Sequence, residues 1–417
     1  MSASLDVYNV KFAPVFLPHS RPPHSLPEPE DAQEKLAPCD EHYEAFSQRL
    51  PPWYDEHRRA MPWRGAADPY RIWVAEVMLQ QTRVDQATPY FRRFVKAFPT
   101  AETLAEAERD DVLMRWEGLG YYARARHLHE AAQIVVDEHD GAVPDTWDAI
   151  RELPGVGPYT AAAVLSIAFG KPHAVLDGNV VRLLTRVFAV EDDVTKARTR
   201  RRLRAVADEL LDHAHDAGVD PGDFNQALME LGATVCPPTA PDCPSCPLQS
   251  ACAAYDEGAP EAYPQKKKKS PKPHHDVAVG LLENEAGELF IQRRPDDGLL
   301  GGLWEFPGGK TKDGEDVADA CRRELREELD VDADVGALFH RLDHAYSHFK
   351  ITLHAFRCRL PDSGAAPTPA EDQPTRWVAR EALDEYAFPR ANRRLIEELE
   401  ARQEQPKLFD QREAGGS

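Results

Sequence analysis

The stretch Leu153-Pro-Gly-Val-Gly-Pro-Tyr-Thr160 constrains this chain more than any other. Gly155 and Gly157 allow a tight turn between two helices. The second helix, opening at Pro158 and continuing into an Ala-rich run, starts with uncovered backbone N–H groups. Those groups and the positive end of the helix dipole hold a phosphate with no side-chain charge. Gly155, Val156 and Gly157 are therefore the expected phosphate contacts of a helix-hairpin-helix. An ordinary turn between packed helices is the bland alternative, and Leu-Pro-Gly-Val-Gly-Pro is more specific than such a turn needs.

Length and charge frame that grip. With 417 residues the chain has room for two or three cores, and two domains plus tails are expected. A formal net charge of −21 argues at first against a phosphate-rich partner. Only the field at the binding face matters, however, and a backbone grip needs no surplus of cations. The excess of Arg over Lys, beside 71 Asp and Glu, resembles the composition of proteins adapted to high salt. No run approaches the roughly 18 apolar residues of a membrane span, so a soluble, cytoplasmic protein without a membrane partner is expected.

Residues 1–38 carry seven prolines, Pro14 to Pro38, and little apolar periodicity, which predicts a disordered arm. From 39 to 255 apolar positions recur at three- and four-residue spacing, which predicts an all-α domain. Residues 256–275, rich in Pro, Gly and charge, read as a linker; its Lys266-Lys-Lys-Lys269 can also reach a phosphate backbone. Beyond it 276–282, 288–292 and 349–358 read as strands and 317–329 and 390–402 as helices, making 276–402 an α/β module. Residues 403–417 form a polar tail with one apolar pair, Leu408-Phe409.

Three constellations carry chemistry. Glu76 lies in the mostly apolar Ile72-Trp-Val-Ala-Glu-Val-Met-Leu-Gln-Gln-Thr82, read as one helix with Gln80 and Arg83 on the Glu76 face. Such a carboxyl has a raised pKa and can donate a proton near neutrality; a structural ion pair with Arg is the alternative. Asp177, before Gly178-Asn179 and an amphipathic run, is a helix N-cap that can also face positive charge developing on a sugar. Four of the seven Cys, at 236, 243, 246 and 252, fall in a compact Pro-rich loop, which suits either structural zinc or an iron–sulfur cluster.

Residues 42–255 resemble the helix-hairpin-helix DNA glycosylase superfamily in its iron–sulfur branch, whose cysteine spacing is the one found here. Leu79-Gln-Gln-Thr82, Gly118-Leu-Gly-Tyr-Tyr-Ala-Arg-Ala-Arg126 and Leu176-Asp-Gly-Asn-Val180 narrow the resemblance to the MutY family of adenine DNA glycosylases. The resemblance implies a [4Fe–4S] cluster on Cys236, Cys243, Cys246 and Cys252. It also implies a monomer acting on double-stranded DNA with adenine opposite 8-oxoguanine, and on A·G, within the nucleoid. Glu76 would then protonate adenine N7, Asp177 would stabilise the oxocarbenium-like sugar or add to it, and Asn179 would position both. Tyr159 stands where lyase relatives carry a Schiff-base Lys, which implies a monofunctional enzyme. Arg64 and Gln226 match the adenine pocket. Gln81, Thr82, Leu119 and an intercalating Tyr121 match contacts to 8-oxoguanine.

The second module resembles the Nudix-like recognition domain of that family, with Ser347 and His348 matching the loop that touches 8-oxoguanine and Tyr346 in place of the usual Phe. Gly309-x5-Glu315-x7-Arg323-Glu-Leu-Arg-Glu-Glu328 is nearly a full Nudix box, with Asp330 where a late Gly is usual. Glu324, Glu327 and Glu328 are therefore either a Mg²⁺ site or a solvated relic face; the relic is preferred because that Gly requires an unusual backbone. In the tail, Gln405, Leu408 and Phe409 resemble the peptide that docks on the bacterial sliding clamp. An endonuclease III-like lyase, or a Nudix nucleotide hydrolase tethered to a DNA-binding module, are the alternative functions.

Overall fold

The computed structural model describes residues 36–65, 68–265, 271–346, 349–360, 366–369 and 373–403. The arm up to residue 35, the lysine run, Ser347, His348 and the tail with Gln405, Leu408 and Phe409 lie outside the described residues. Leu36, inside the segment expected to be an arm, already packs against the helical core.

Between residues 40 and 262 the described elements are all helices, as the apolar spacing predicts. They enclose two cores. One gathers Trp73, Phe91, Phe94 and Trp116, and the other Phe46, Tyr54, Leu184 and Phe224. The hairpin helix Pro158–Phe169 is apolar on every side and runs between them: Ala161, Val164 and Leu165 join the first core, Ala162 and Ala163 the second. Its alanines admit close neighbours, and at Gly222 a Cβ would stand 2.8 Å from the Ile167 Cα.

The second domain is a mixed seven-stranded sheet between two helices. Its strands are β1 (His274–Glu283), β2 (Leu289–Arg293), β3 (Trp304–Glu305), β4 (Gly308–Lys310), β5 (Asp334–Ala345), β6 (Lys350–Arg359) and β7 (Thr375–Val378). The order is β3-β2-β1-β6-β5, with β4 paired to β1 and β7 to β2; β1 and β6 run parallel and the other pairs antiparallel. Alternation along β1 sends Ala278 and Leu282 toward helix Val317–Leu329, and Val279 and Leu281 toward the face covered by helix Arg390–Gln403. β1 opens at His274, inside the segment expected to be linker. β5 was absent from the sequence expectation because its burial pattern breaks at two register shifts.

The two domains share an interface. Arg393 grips Glu117 with bonds of 2.8 and 3.1 Å, Arg109 grips Asp296, and Leu303 and Ala387 of the second domain enter the first helical core.

Gly308 is the backbone position on which the sheet most depends: its φ is +142° and a Cβ would fall against the Ala278 carbonyl of β1. Gly308→Ala is expected to cost roughly 2 kcal/mol or more of stability, measured by denaturant unfolding.

Candidate active site and recognition cleft

Helix Pro69–Leu79 begins at Asp68, whose side chain accepts from Arg71 N at 3.1 Å, and buries nearly its whole length. It stops at Leu79, so Arg83 does not continue the Glu76 face as the apolar run had predicted. The buried Arg124 ends it by donating to the carbonyls of Val77, Met78 and Gln80 at 2.9, 2.8 and 2.6 Å. Gln80, the C-cap, turns its amide to Thr160 Oγ1 at 3.1 Å, on the same hairpin helix that Glu76 meets through Tyr159.

Glu76 is 4% exposed. Its Oε2 accepts the Tyr159 hydroxyl at 2.7 Å, so the group bonded to it is a phenol and not the Arg of the ion-pair alternative. Burial pushes this carboxyl up to about 7; the Tyr159 bond pulls it down, Asp177 pushes it up, and Arg64 pulls it down less. Because folding favours the protonated form, Glu76 contributes stability fully below its ordinary range and loses it as pH rises through about 7.

Asp177 caps helix Gly178–Val187, its Oδ1 accepting from Val180 N at 2.7 Å. Its other oxygen accepts from Asn179 Nδ2 at 2.9 Å. Burial raises this carboxyl too, but the cap and the Asn179 bonds oppose the rise. Asn179 is held in turn by Arg182 Nη2 at 2.8 Å, which also donates to Gly232 O at 2.6 Å, while Arg182 Nε donates to Cys236 O at 2.8 Å. Gly232 makes room for this arrangement: a Cβ there would stand 2.8 Å from that of Asn179.

Arg64 and Gln226 meet at 3.1 Å, as their shared assignment to one pocket implies. Glu230, one turn beyond Gln226, holds Arg64 at 3.1 Å and Arg59 at 2.6 Å. Met229 on the same helix places its sulfur 3.3 Å from the Tyr159 hydroxyl. Thus Glu76, Tyr159, Asp177, Asn179, Arg64 and Gln226 are brought together. Arg124, Arg182, Met229, Glu230 and Gly232 were missed; only the i+4 spacing of Glu230 from Gln226 signalled any of them.

At the hairpin, Gly155 takes the left-handed conformation, φ +75°, and abuts His127. Gly157 does not; it is the N-cap of Pro158–Phe169, has no side-chain cap, and leaves open space around its Cα.

Gln81, Thr82, Leu119 and Tyr121 line one cleft of about 540 Å³ between the domains, opposite Tyr346 and Phe349, whose rings stack at 4.8 Å and flank the Ser347-His348 loop in sequence. Gln81 and Tyr121 are held left-handed, at φ 58° and 52°.

Cys236, Cys243, Cys246 and Cys252 are free thiols on the walls of one small cavity, with Arg186 Nη1 3.1 Å from the Cys236 sulfur. Among the described residues no three His, Cys, Asp or Glu form a group able to hold a single ion. In the Nudix box, Arg323 binds Glu315, Glu324 and Glu327 together, while Glu328 accepts from Gln292 and Gly308 N at 2.9 and 3.0 Å. Burial and nearby Glu305 push Glu328 up to about 8. Asp330 adopts the left-handed conformation itself, φ 54°, so the missing Gly does not disrupt the box as the relic argument required.

Comparisons with known proteins fall on the same two domains. The family described as HhH-GPD superfamily base excision DNA repair protein matches residues 74–209, and the NUDIX domain matches 278–398. A human protein named Adenine DNA glycosylase is 34% identical over 86% of this chain and 74% of its own length. Proteins of the same name from Schizosaccharomyces pombe and Buchnera aphidicola are 31% and 32% identical, over 82% and 76% of this chain and 86% and 87% of theirs. The chain belongs to the adenine DNA glycosylases. It is a base-excision repair enzyme that joins a helix-hairpin-helix domain to a Nudix domain.

For a glycosylase whose acid is Glu76, the sign of one substitution follows from the geometry. The Tyr159 bond favours the ionised carboxylate, so Tyr159→Phe raises the Glu76 pKa and should move the alkaline limb of the single-turnover rate profile to higher pH. Gly232→Ala pushes Asn179 off Asp177 and is expected to slow base excision at least tenfold, read in the same assay, with a smaller effect on DNA affinity.

Proposed function

We propose that this glycosylase removes adenine from opposite 8-oxoguanine, and from A·G, and leaves the strand uncut. The observation that carries the mechanism is the pairing of two carboxyls in unlike surroundings: burial pushes Glu76 up to about 7, whereas at Asp177 burial also raises the carboxyl but hydrogen bonds from Val180 and Asn179 oppose the rise. The hairpin N–H groups hold a phosphate while the adenine nucleotide is turned out of the stack. Protonated Glu76 delivers its proton to N7, the C1′–N9 bond breaks with its electrons going to the base, and Asp177 faces the sugar cation. Water then adds at C1′ and gives up a proton, which returns Glu76 to its protonated form. Tyr159 offers no amine to form a Schiff base, and Arg64 and Gln226 contact the adenine edge.

The partner base is read in the interdomain cleft by Gln81, Thr82, Leu119, Tyr121 and the Ser347-His348 loop. The four thiols are the proposed ligands of an iron–sulfur cluster: they surround a common cavity beside a buried guanidinium, an arrangement suited to a multi-iron group wider than one ion. Such a cluster supplies a brace for the loop whose Cys236 carbonyl holds Arg182. Glu324 and Glu327 are proposed to be structural partners of Arg323, which leaves the second domain a recognition module.

A duplex with adenine opposite 8-oxoguanine should yield an alkali-labile product at the adenine and no break without alkali. Glu76→Gln should slow its formation at least a hundredfold. A strand break without alkali would contradict monofunctional chemistry, and equal rates opposite 8-oxoguanine and thymine would contradict the cleft assignment. Iron and sulfide analysis of the purified protein should find both; zinc alone would replace the cluster.

A further inference from the structure

The cleft that Tyr121 lines is also lined by Gly298, Leu299 and Leu300 of the second-domain loop 295–302, and this loop is built to hold one apolar side chain out in the open. Leu299 is 53% exposed and lines the cleft. An exposed leucine by itself says little. Here, however, the backbone behind it is fastened from both domains. Arg109 binds the Asp296 carboxylate, and Arg126 donates to the Asp296 carbonyl at 2.8 Å and to the Gly301 carbonyl. Arg294 Nε donates to the Leu299 carbonyl itself at 3.0 Å, and Gly302 N returns to Arg294 O at 3.0 Å. The next residue, Leu300, is turned inward against the helical core at φ 58°, a conformation unfavourable for leucine.

Three of the non-glycine residues held left-handed among those described, Gln81, Tyr121 and Leu300, thus line this one cleft. Backbone strain concentrated at a single surface marks side chains aimed for a purpose. The cleft also contains no Asp or Glu among its described lining residues, in a chain of net charge −21, while Arg126 and Arg390 line it. Its chemistry is that of a nucleic-acid strand: cations for phosphate, aromatic faces for bases, and one rigid apolar point.

We infer that Leu299 is a second wedge, inserted by the second domain into the base stack beside the 8-oxoguanine while Tyr121 enters from the helical domain. This rests on the cleft being where the partner base is read. An apolar wedge from each side separates the mispair from both neighbours, and the unstacking is offset by the apolar surface that each wedge loses to water.

The test uses the full chain carrying Glu76→Gln, expected to slow excision at least a hundredfold so that binding is read before turnover, and a duplex with adenine opposite 8-oxoguanine and 2-aminopurine beside the 8-oxoguanine. Leu299→Ala should bind this duplex about tenfold more weakly, equivalent to about 1.4 kcal/mol. It should also lose most of the fluorescence rise that reports unstacking, while Leu299→Phe keeps both and the thermal midpoint of each stays at the parent value. Parent-like affinity and fluorescence in Leu299→Ala would overturn the wedge, as would an affinity loss shared equally by a fully paired duplex. Tyr121→Ala separates the two levels: if it weakens binding while Leu299→Ala does not, the wedge fails and the cleft assignment stands, and if neither does, the cleft assignment fails.

Discussion

One hydrogen bond, from the Tyr159 hydroxyl to the Glu76 carboxyl, ties the hairpin to the buried carboxyl proposed as the acid. It joins the hairpin helix to the helix that carries Glu76, so the proposed phosphate grip and the proposed proton donor are directly linked. Burial pushes the Glu76 carboxyl up, and the phenol bond opposes that rise, leaving it at about 7. The surroundings of that bond serve it. Arg124 ends the Glu76 helix at the right residue, and the hairpin helix, apolar all round, is clamped between two cores and cannot rotate.

Buried and half-buried arginines are the recurrent device of the helical domain. Arg124 collects the carbonyls at a helix end, Arg182 spans from Asn179 to the cysteine loop, and Arg186 gathers the carbonyls of Pro237 and Pro238 beside the Cys236 sulfur. Each satisfies several acceptors at once with a planar, permanently charged fork, which lysine cannot do. Asp177 and the cysteine loop are thereby parts of one hydrogen-bonded chain. This arrangement also accounts for DNA recognition by so acidic a protein. The surfaces proposed to meet DNA include backbone N–H groups and a cleft with no acidic lining among the described residues.

Much of this was legible in the residues because it depends on local pattern. Helix Val317–Leu329 forms where its spacing placed it, and Asp177 takes the cap that its short carboxylate favours. Where long-range pairing decides, the pattern was silent. β5 is irregular and half-exposed, and its register comes from β6 rather than from its own alternation. The Glu76 helix ran on too far in the sequence because Arg124, more than forty residues away, supplies the stop. Asp330 shows the converse: a residue other than glycine accepts the left-handed turn because its side chain tolerates it.

The sequence by itself determined the family, the two-domain order, the cysteine spacing and the absence of a Lys at position 159, since these are matters of residue type and interval. Only the tertiary structure decided the proton affinity of Glu76, the company of Arg182, and the cleft that Tyr121 and Leu299 both line. Those depend on what distant segments bring alongside, because desolvation and hydrogen bonding are set by neighbours in space.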